Sequence, residues 1–358
     1  MSEHPLSGPA VWTGGELAAA NRWQFQFSDA QRDELEQTLT AIRRDAIGWR
    51  EIRAAAYPLP ASRPLFERVA EELEHGTGVA RITGLDPERY EEDERRALFY
   101  LIGAHLGRPV SMSRDGMMMS DVTDEGAVAA ERYGAIDDGA SGRFLSSRAR
   151  VHSTGPLRFH NDRADVVALF CVARAKAGGA SQIVSVPALH NALQARRPDL
   201  LAELFRPYPR SRLGEEFADN AVWYDLPVFA FAGPDRDVSG FTAHYSRTYI
   251  EAAQKHPDVP PLSPAQWEAI DLMVELAEDL AFETLQQPGE IQLLNNHVTF
   301  HSRTAYEDHR EPERRRLLHR LWLAMPNSRA LPQSFATLFH DIRPGRPRGG
   351  ILPVDRAA

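Results

Sequence analysis

A mainly β fold with helical insertions, of the α+β class, is what this 358-residue sequence predicts. Three observations carry that expectation. Strand-like runs occur in both halves of the chain, amphipathic helices with explicit start signals lie between them, and no linker divides the chain into separable domains. Hydrophobic residues make up 43% and charged residues 25%, so disorder, collagen and coiled coil are excluded as whole-chain descriptions. One β-rich core decorated by helices is the simplest arrangement.

The elements follow in order. The first 25 or so residues have little periodicity and read as an arm. Ser28-Asp29-Ala30-Gln31 has capping-box spacing, and Leu35, Leu39 and Ile42 follow at helical intervals, which predicts a helix over 29–45. Pro58, Pro60 and Pro64 separate it from a second amphipathic stretch over 65–74. The glycine-bounded run 76–84 reads as a short strand. Residues 91–106 read as a helix with acids in its first turn, where the helix dipole favours them. Residues 110–150 are rich in Gly, Asp, Ser and Met without a clean period, so an irregular, lid-like segment is expected there.

From Leu157 the texture becomes β, through RFHNDRADVVALFCVARA, the Gly178-Gly179 turn and SQIVSVPAL. A helical stretch over 188–206 and an aromatic region with short strand-like pieces over 207–250 come next. Ser263-Pro264-Ala265-Gln266 opens a helix expected to run to about 285. Together these form a helical insertion over about 188–285. Pro288-Gly289 leads into IQLLNNHVTF, read as one strand, and RLLHRLWLAMP is the last strand. The domain reading is an N-terminal arm and helix over 1–60, packed on a single domain over 61–358.

Charge and cysteine content narrow the function. Lys plus Arg total 41 against 50 Asp plus Glu, a net charge of -9. That balance argues against nucleic-acid binding, which gains affinity by neutralising phosphates, and against attraction to an anionic membrane surface. No apolar run approaches a membrane span, and the N-terminus lacks a signal pattern, so a soluble, cytoplasmic chain is expected. Cys171 is the single cysteine, which excludes an intramolecular disulfide and a thiolate zinc cluster. Any metal site must be built from nitrogen and oxygen.

Two stretches offer such ligands. In Phe159-His160-Asn161-Asp162, the residues two apart point to the same side of an extended strand, giving an imidazole and a carboxylate side by side. In Leu294-Asn295-Asn296-His297-Val298-Thr299-Phe300-His301, two further histidines are available. A second His would complete a two-His, one-carboxylate facial triad with open positions, a pattern of non-haem Fe(II) oxygenases. The pair alone is equally a hydrogen-bonded core histidine beside a turn acid. The last strand adds weight. Positions 316, 318, 320 and 322 share one face by the period-two rule, placing Arg316 and Arg320 beside Leu318 and Trp322. Inward arginines need anionic partners, and a guanidinium fork suits a dicarboxylate. A solvated basic edge strand would explain Arg314 and Arg315 but not arginines alternating with Leu, Leu and Trp.

With those motifs in view, the phrases LRFHNDRADVVALFCVARAKAGGASQIVSV, PGEIQLLNNHVTFHSRTAYED and ERRRLLHRLWLAMP resemble the TauD/TfdA (taurine dioxygenase and clavaminate-synthase-like) family of Fe(II)- and 2-oxoglutarate-dependent oxygenases. The resemblance runs from about residue 76 onward and is strongest over 157–190 and 286–326. It implies a double-stranded β-helix (jelly-roll) core flanked by helices. It also implies Fe(II), 2-oxoglutarate as cosubstrate and O2. His160, Asp162 and His301 match the family's metal ligands; His297 is the competitor, on the same face as His301 if the strand is regular. Arg316 matches the arginine that holds the 5-carboxylate of 2-oxoglutarate, Ser181 the hydroxyl that assists it, and Arg320 a second arginine facing the ligand end. The His301-to-Arg316 interval is longer than the commonest family pattern, which leaves Arg315 as an alternative. The Asp162-to-Ser181 interval is shorter.

The activity so implied is an oxidoreductase: a dioxygenase that hydroxylates a C–H bond of a small metabolite while 2-oxoglutarate decarboxylates to succinate and CO2. Desaturation, cyclisation, a protein side chain as substrate and a non-catalytic metabolite-binding descendant are the alternatives. Because Asp162 keeps the carboxylate position filled, halogenation is not expected. A small-molecule substrate is the expected partner, with neither nucleic acid nor membrane, and a homo-oligomer is left open. The 110–150 segment would roof the pocket with Met117, Met118, Met119, Asp121, Tyr133 and Arg143, although adaptable packing explains the Met triplet better. Asn296, Arg303 and Tyr245-Ser246-Arg247 are further candidates, each as readily a structural hydrogen bond.

Overall fold

A computed structural model describes residues 4–126, 128, 135–137, 143–145, 150–212, 221–234 and 236–353. Its centre is a pair of sheets. The larger runs in the order Gln24–Gln26, Val79–Thr83, Ile291–Asn295, Val166–Ala173, Leu317–Ala324, Arg108–Val110, with Ser120–Val122 also pairing the Leu317–Ala324 strand. The smaller runs Phe282–Thr284, Ser181–Ser185, Thr299–Arg303, Leu157–His160. Only the outermost pairing, Gln24–Gln26 on Val79–Thr83, is parallel in these two sheets.

Period-two alternation divides each strand between two environments. Ala80, Ile82, Val166, Ala168, Phe170, Ile291, Leu293, Leu321 and Leu323 turn outward from the larger sheet. They pack under the helices Asp29–Arg44, Arg63–His75 and Glu92–Leu106, which supply Leu35, Leu39, Val69, Leu98 and Ile102. The alternate residues Val79, Val167, Leu294 and Trp322 turn inward and meet Ile183 and Phe282 of the smaller sheet. That sheet's outer face, with Phe159, Val184 and Phe300, is covered by Val186–Arg196, Pro198–Leu204, Arg247–Ala253 and Pro264–Leu280. The layers are therefore helix, sheet, sheet, helix. Odd-numbered residues of Thr299–Arg303 and even-numbered residues of Leu317–Ala324 face each other across the interior.

Local signals behave as the chemistry requires. Ser28 and Gln31 cap each other reciprocally, as do Ser263 and Gln266. Three expectations change. Where the first 25 residues read as an arm, the chain forms the capped helix Gly14–Ala19 and the strand Gln24–Gln26, and buries Trp12, Leu17 and Trp23 against the inter-sheet cluster. The helix opened at Ser263 ends at Leu280 rather than near 285, because Phe282–Thr284 is taken up as the edge strand beside Ser181–Ile183. IQLLNNHVTF is two strands rather than one. Asn295 accepts from the His297 and Val298 amides through its side chain and carbonyl, turning the chain so that Ile291–Asn295 and Thr299–Arg303 join opposite sheets.

The segment expected as an irregular lid contributes Ser120–Val122 to the larger sheet and a short hairpin, Ala135–Asp137 with Arg143–Leu145. The 188–285 stretch contains two further hairpins as well as helices. Among the described residues, no helix is long and apolar enough to cross a membrane.

Candidate active site

His160 ends the Leu157–His160 strand and His301 is its direct cross-strand neighbour, so their rings lie 4.3 Å apart between centroids. Strand pairing therefore delivers two imidazoles to one point of the inter-sheet interior. Asp162 is brought there by a turn held from below. Asn161 donates to the Ala243 and Asn296 carbonyls and accepts from the Tyr245 amide, while the Asp162 amide donates to Asn296 Oδ1 at 3.1 Å. Asn296 also donates to the Ala164 carbonyl at 3.0 Å. Asn296 is thus a framework residue that shapes the turn.

Three orphaned or assignable atoms test whether a hard divalent ion fits. His160 Nδ1 lies 2.9 Å from the Arg158 carbonyl, an acceptor only, so the ring proton sits on Nδ1 and the Nε2 lone pair stays available. His301 Nδ1 and Asp162 Oδ2 are buried with no hydrogen-bond partner. Burial, then His160 and Arg320, push the His301 imidazolium down to about 3, and burial likewise lowers His160. Burial opposes ionisation of Asp162, but Arg320, His301 and His160 together outweigh it and hold the carboxyl below its usual range. Two neutral imidazoles and a carboxylate are the states a metal needs. Among the described residues no three such side chains already stand gathered in a ligand cluster. Arg320 Nη1 instead lies 3.9 Å from Asp162 Oδ1, supplying the local positive charge.

His297 stands apart from this group. It belongs to the turn after Asn295, fully buried, with Nε2 2.8 Å from Asp165 Oδ1 and Nδ1 2.9 Å from Thr242 Oγ1. Asp165 also accepts from Arg348 and from the Met325 amide. The turn breaks the strand regularity on which a shared face with His301 depended.

Two cavities meet at Val151, His160 and Arg320. The first is lined by His160, His301, Ser181, Gly179, Ser302 and Arg316. Arg316 is buried, lies over the Tyr306 ring and leaves Nη1 without a partner, so it presents an unsatisfied cation to this cavity. Gly179, at φ +74°, passes so close that a Cβ there would stand 3.4 Å from Arg316 Nε. Ser181 Oγ accepts from Gln292 Nε2 at 3.1 Å, a link between the two sheets. Arg315 caps a short turn and lines neither cavity. Arg303 lines the first cavity, but its guanidinium is spent on the carbonyls of Val151, Ser153 and Gly155 and so pins that segment.

The second cavity adds Asp162 to His160 and Arg320. Of the expected wall residues, Met117, Met119, Asp121 and Ser246 line it, whereas Met118 packs under the helices. Tyr133 lies outside the described residues, and Arg143 opens the second strand of the short hairpin. Tyr245 stacks near Phe300, and Arg247 pairs with Glu251 and Asp271. Sequence reading missed Arg96, Glu125, His152, Arg163, His244 and Tyr249, which also line the cavity. They come from four separate segments with no shared spacing. Only the proximity of Arg163 to the His-x-Asp pair hinted at any of them.

Residues 47–322 match the family described as "Taurine catabolism dioxygenase TauD, TfdA family". Among curated proteins, the chain is 26% identical to FR-33289 synthase of Streptomyces rubellomurinus, covering 93% of this chain and 94% of that one. It is 24% identical to the taurine hydroxylase-like protein SAT17 of Stachybotrys chartarum, over 88% and 79%. Among solved structures, an asparagine oxygenase in complex with Fe(II), 3-hydroxyasparagine and succinate superposes with a TM-score of 0.63 at 18% identity, covering 85% of this chain and 94% of that one. The non-heme iron oxygenase OrfP in complex with Fe and alpha-ketoglutaric acid gives 0.60 at 14% identity, over 84% and 94%. The structural likeness shows a common fold, and the family match spans most of the chain. The chain belongs to the TauD/TfdA family of non-haem iron, 2-oxoglutarate-dependent dioxygenases.

Proposed function

We propose that this dioxygenase hydroxylates a C–H bond of a small, charged metabolite, with His160, Asp162 and His301 holding Fe(II). In this reading the two facing sheets are the family's double-stranded β-helix, the single domain over 61–358, and residues 1–60 brace its edge. The observation that carries it is the unsatisfied buried guanidinium of Arg316 in the cavity that also contains His160 and His301. Asp308 is near enough to act on the Arg316 charge, but among the described residues it makes no ion pair with it, so the guanidinium keeps an unpaired N–H that a cosubstrate carboxylate would take up.

Bound iron would let 2-oxoglutarate be decarboxylated by O2 and the resulting oxidising power be directed at the substrate. The chain's residues do the rest. His160 and His301 present neutral nitrogens, Asp162 supplies the one anionic ligand, and Arg316 orients the distal carboxylate with Ser181 beside it. Arg320 stands at the junction of the two cavities, where it balances Asp162 and faces both ligands. The second cavity receives the substrate. Its walls carry both acids and cations, Asp121 and Glu125 with Arg96 and Arg163, which favours a polar molecule of amino-acid size. The hydroxyasparagine and hydroxyarginine bound by the structurally similar proteins are of that kind.

The test is anaerobic titration of the protein with Fe(II) and 2-oxoglutarate, watching for the weak visible charge-transfer band. Wild type should develop it, whereas Asp162→Ala and His301→Ala should not. No band in wild type overturns the proposal. A full-strength band in either variant overturns the ligand assignment. Succinate release across a panel of amino acids and related metabolites then identifies the substrate.

A further inference from the structure

Arg210 is the largest fully buried side chain among the described residues, and the chemistry above makes no use of it. Its Nη1–H donates to His244 Nδ1 at 2.6 Å, and Nη2–H donates to the His244, Leu226 and Pro227 carbonyls at 2.7, 3.3 and 3.3 Å. None of these acceptors is a carboxylate, so a full positive charge is held in the interior by neutral groups.

A guanidinium has only N–H donors and no lone pair to offer, so His244 Nδ1 must be the acceptor, and the ring proton is forced onto Nε2. His244 lines the second cavity and Arg210 does not, so Arg210 meets the ring from behind the cavity wall and the opposite edge bears Nε2–H. That atom is buried and has no hydrogen-bond partner. Burial first, then Arg210 and Arg163, hold the imidazole far below its ordinary range, so the ring stays neutral and the donor is permanent. The guanidinium behind it polarises Nε2–H, as hydrogen-bond chains do at low dielectric. Arg163, lying over the Tyr249 ring, adds positive potential to the same cavity.

We infer that His244 is a specificity-determining residue whose Nε2–H, fixed by Arg210, receives a carboxylate oxygen of the substrate. This deepens the proposed function and rests on the second cavity being the substrate cavity. A charge-assisted bond of this kind discriminates against a neutral amide analogue, whose carbonyl oxygen offers the polarised donor only the weaker uncharged bond. Arg210 is a positioning residue, acting through the tautomer it imposes.

The experiment uses full-length protein with 15N-labelled histidine, loaded with Zn(II) as a closed-shell substitute for Fe(II) and saturated with 2-oxoglutarate. Long-range 1H–15N correlation reads the His244 tautomer directly. Acetate and acetamide are then titrated as small probes. The expected result is Nε2–H with bare Nδ1, an Nε2 resonance that moves with acetate, and a much weaker response to acetamide. His244→Leu should weaken anion binding about tenfold or more, while His244→Gln, which keeps an N–H near the same place, should stay within about threefold of wild type. Arg210→Met should release the tautomer even where the protein stays folded. An Nδ1–H tautomer in wild type, or equal responses to acetate and acetamide, overturns the inference. Loss of the iron charge-transfer band with an intact anion response would instead sink the oxygenase reading and leave His244 an anion site.

Discussion

Replacing Arg316 by Met should have opposite effects on ligand binding and on stability. In the free protein the guanidinium is buried, with Nη1 unpartnered, which costs about 1–3 kcal/mol in unsatisfied polar group. Part of the compensation is the guanidinium lying over Tyr306 at 5.2 Å, about 0.5–1 kcal/mol, and the nearby Asp308 carboxylate adds Coulombic support. The Arg316 backbone amide donates to Asp308 Oδ1, and that bond survives the substitution. Met fills much of the same volume, so the ligand-free protein should melt at the wild-type temperature or about 1–3 °C above it. Binding moves the other way. Losing one partner of a desolvated, hydrogen-bonded charge pair costs about 2–5 kcal/mol, roughly 30-fold to a few thousand-fold in 2-oxoglutarate affinity. Anaerobic titration of the charge-transfer band measures the affinity, and thermal melting of the ligand-free protein measures stability. A 2-oxoglutarate affinity within threefold of wild type would refute the assignment. So would a melting temperature lowered by more than about 5 °C, since that would make Arg316 a structural residue.

The two histidines of the Asn295–Arg303 segment should separate cleanly. His297→Ala removes a hydrogen bond to the buried Asp165 carboxylate and should cost about 2–3 kcal/mol in urea unfolding while the folded fraction still binds iron. His301→Ala should cost the iron site with little change in the ligand-free unfolding midpoint. Gly179→Ala forces a side chain into positive φ and against Arg316, so the KM for 2-oxoglutarate in a succinate-release assay should rise about tenfold. Saturating Fe(II) with 2-oxoglutarate at 100 times Kd should add about 2.7 kcal/mol of stability to wild type, seen as a raised anaerobic melting temperature, and none to Asp162→Ala. A ligand-induced rise in Asp162→Ala equal to wild type would move the carboxylate ligand elsewhere.

The spacing of His160 and Asp162 suggested an imidazole and a carboxylate on one face of a single strand, but the strand ends at His160, and a turn held by Asn161 and Asn296 carries Asp162 instead. Period-two alternation also put Arg316, Leu318, Arg320 and Trp322 on one face, and they do line the inter-sheet cavities. The caps at Ser28 and Ser263 were equally legible, because a capping box is closed within four residues. The preference for His301 over His297 came from the family resemblance and not from spacing, which left both histidines available. The choice depends on whether the chain bends after Asn295, and that bend is held by hydrogen bonds whose value appears only once both sheets exist.

The walls of the second cavity were the least legible part. His244, Arg163, Glu125 and Arg96 come together through packing of segments far apart in the chain, and no local period links them. Arg210 looked like one more arginine in an aromatic stretch, and only its complete burial against His244 gives it a role. By itself, then, the sequence determined what short-range covalent geometry controls: the strands, their inward faces, the helix starts and the nitrogen-and-oxygen donor set. The tertiary structure alone decided which inward groups share a cavity and which polar atoms lose water without gaining a partner, because desolvation is set by contacts between distant segments.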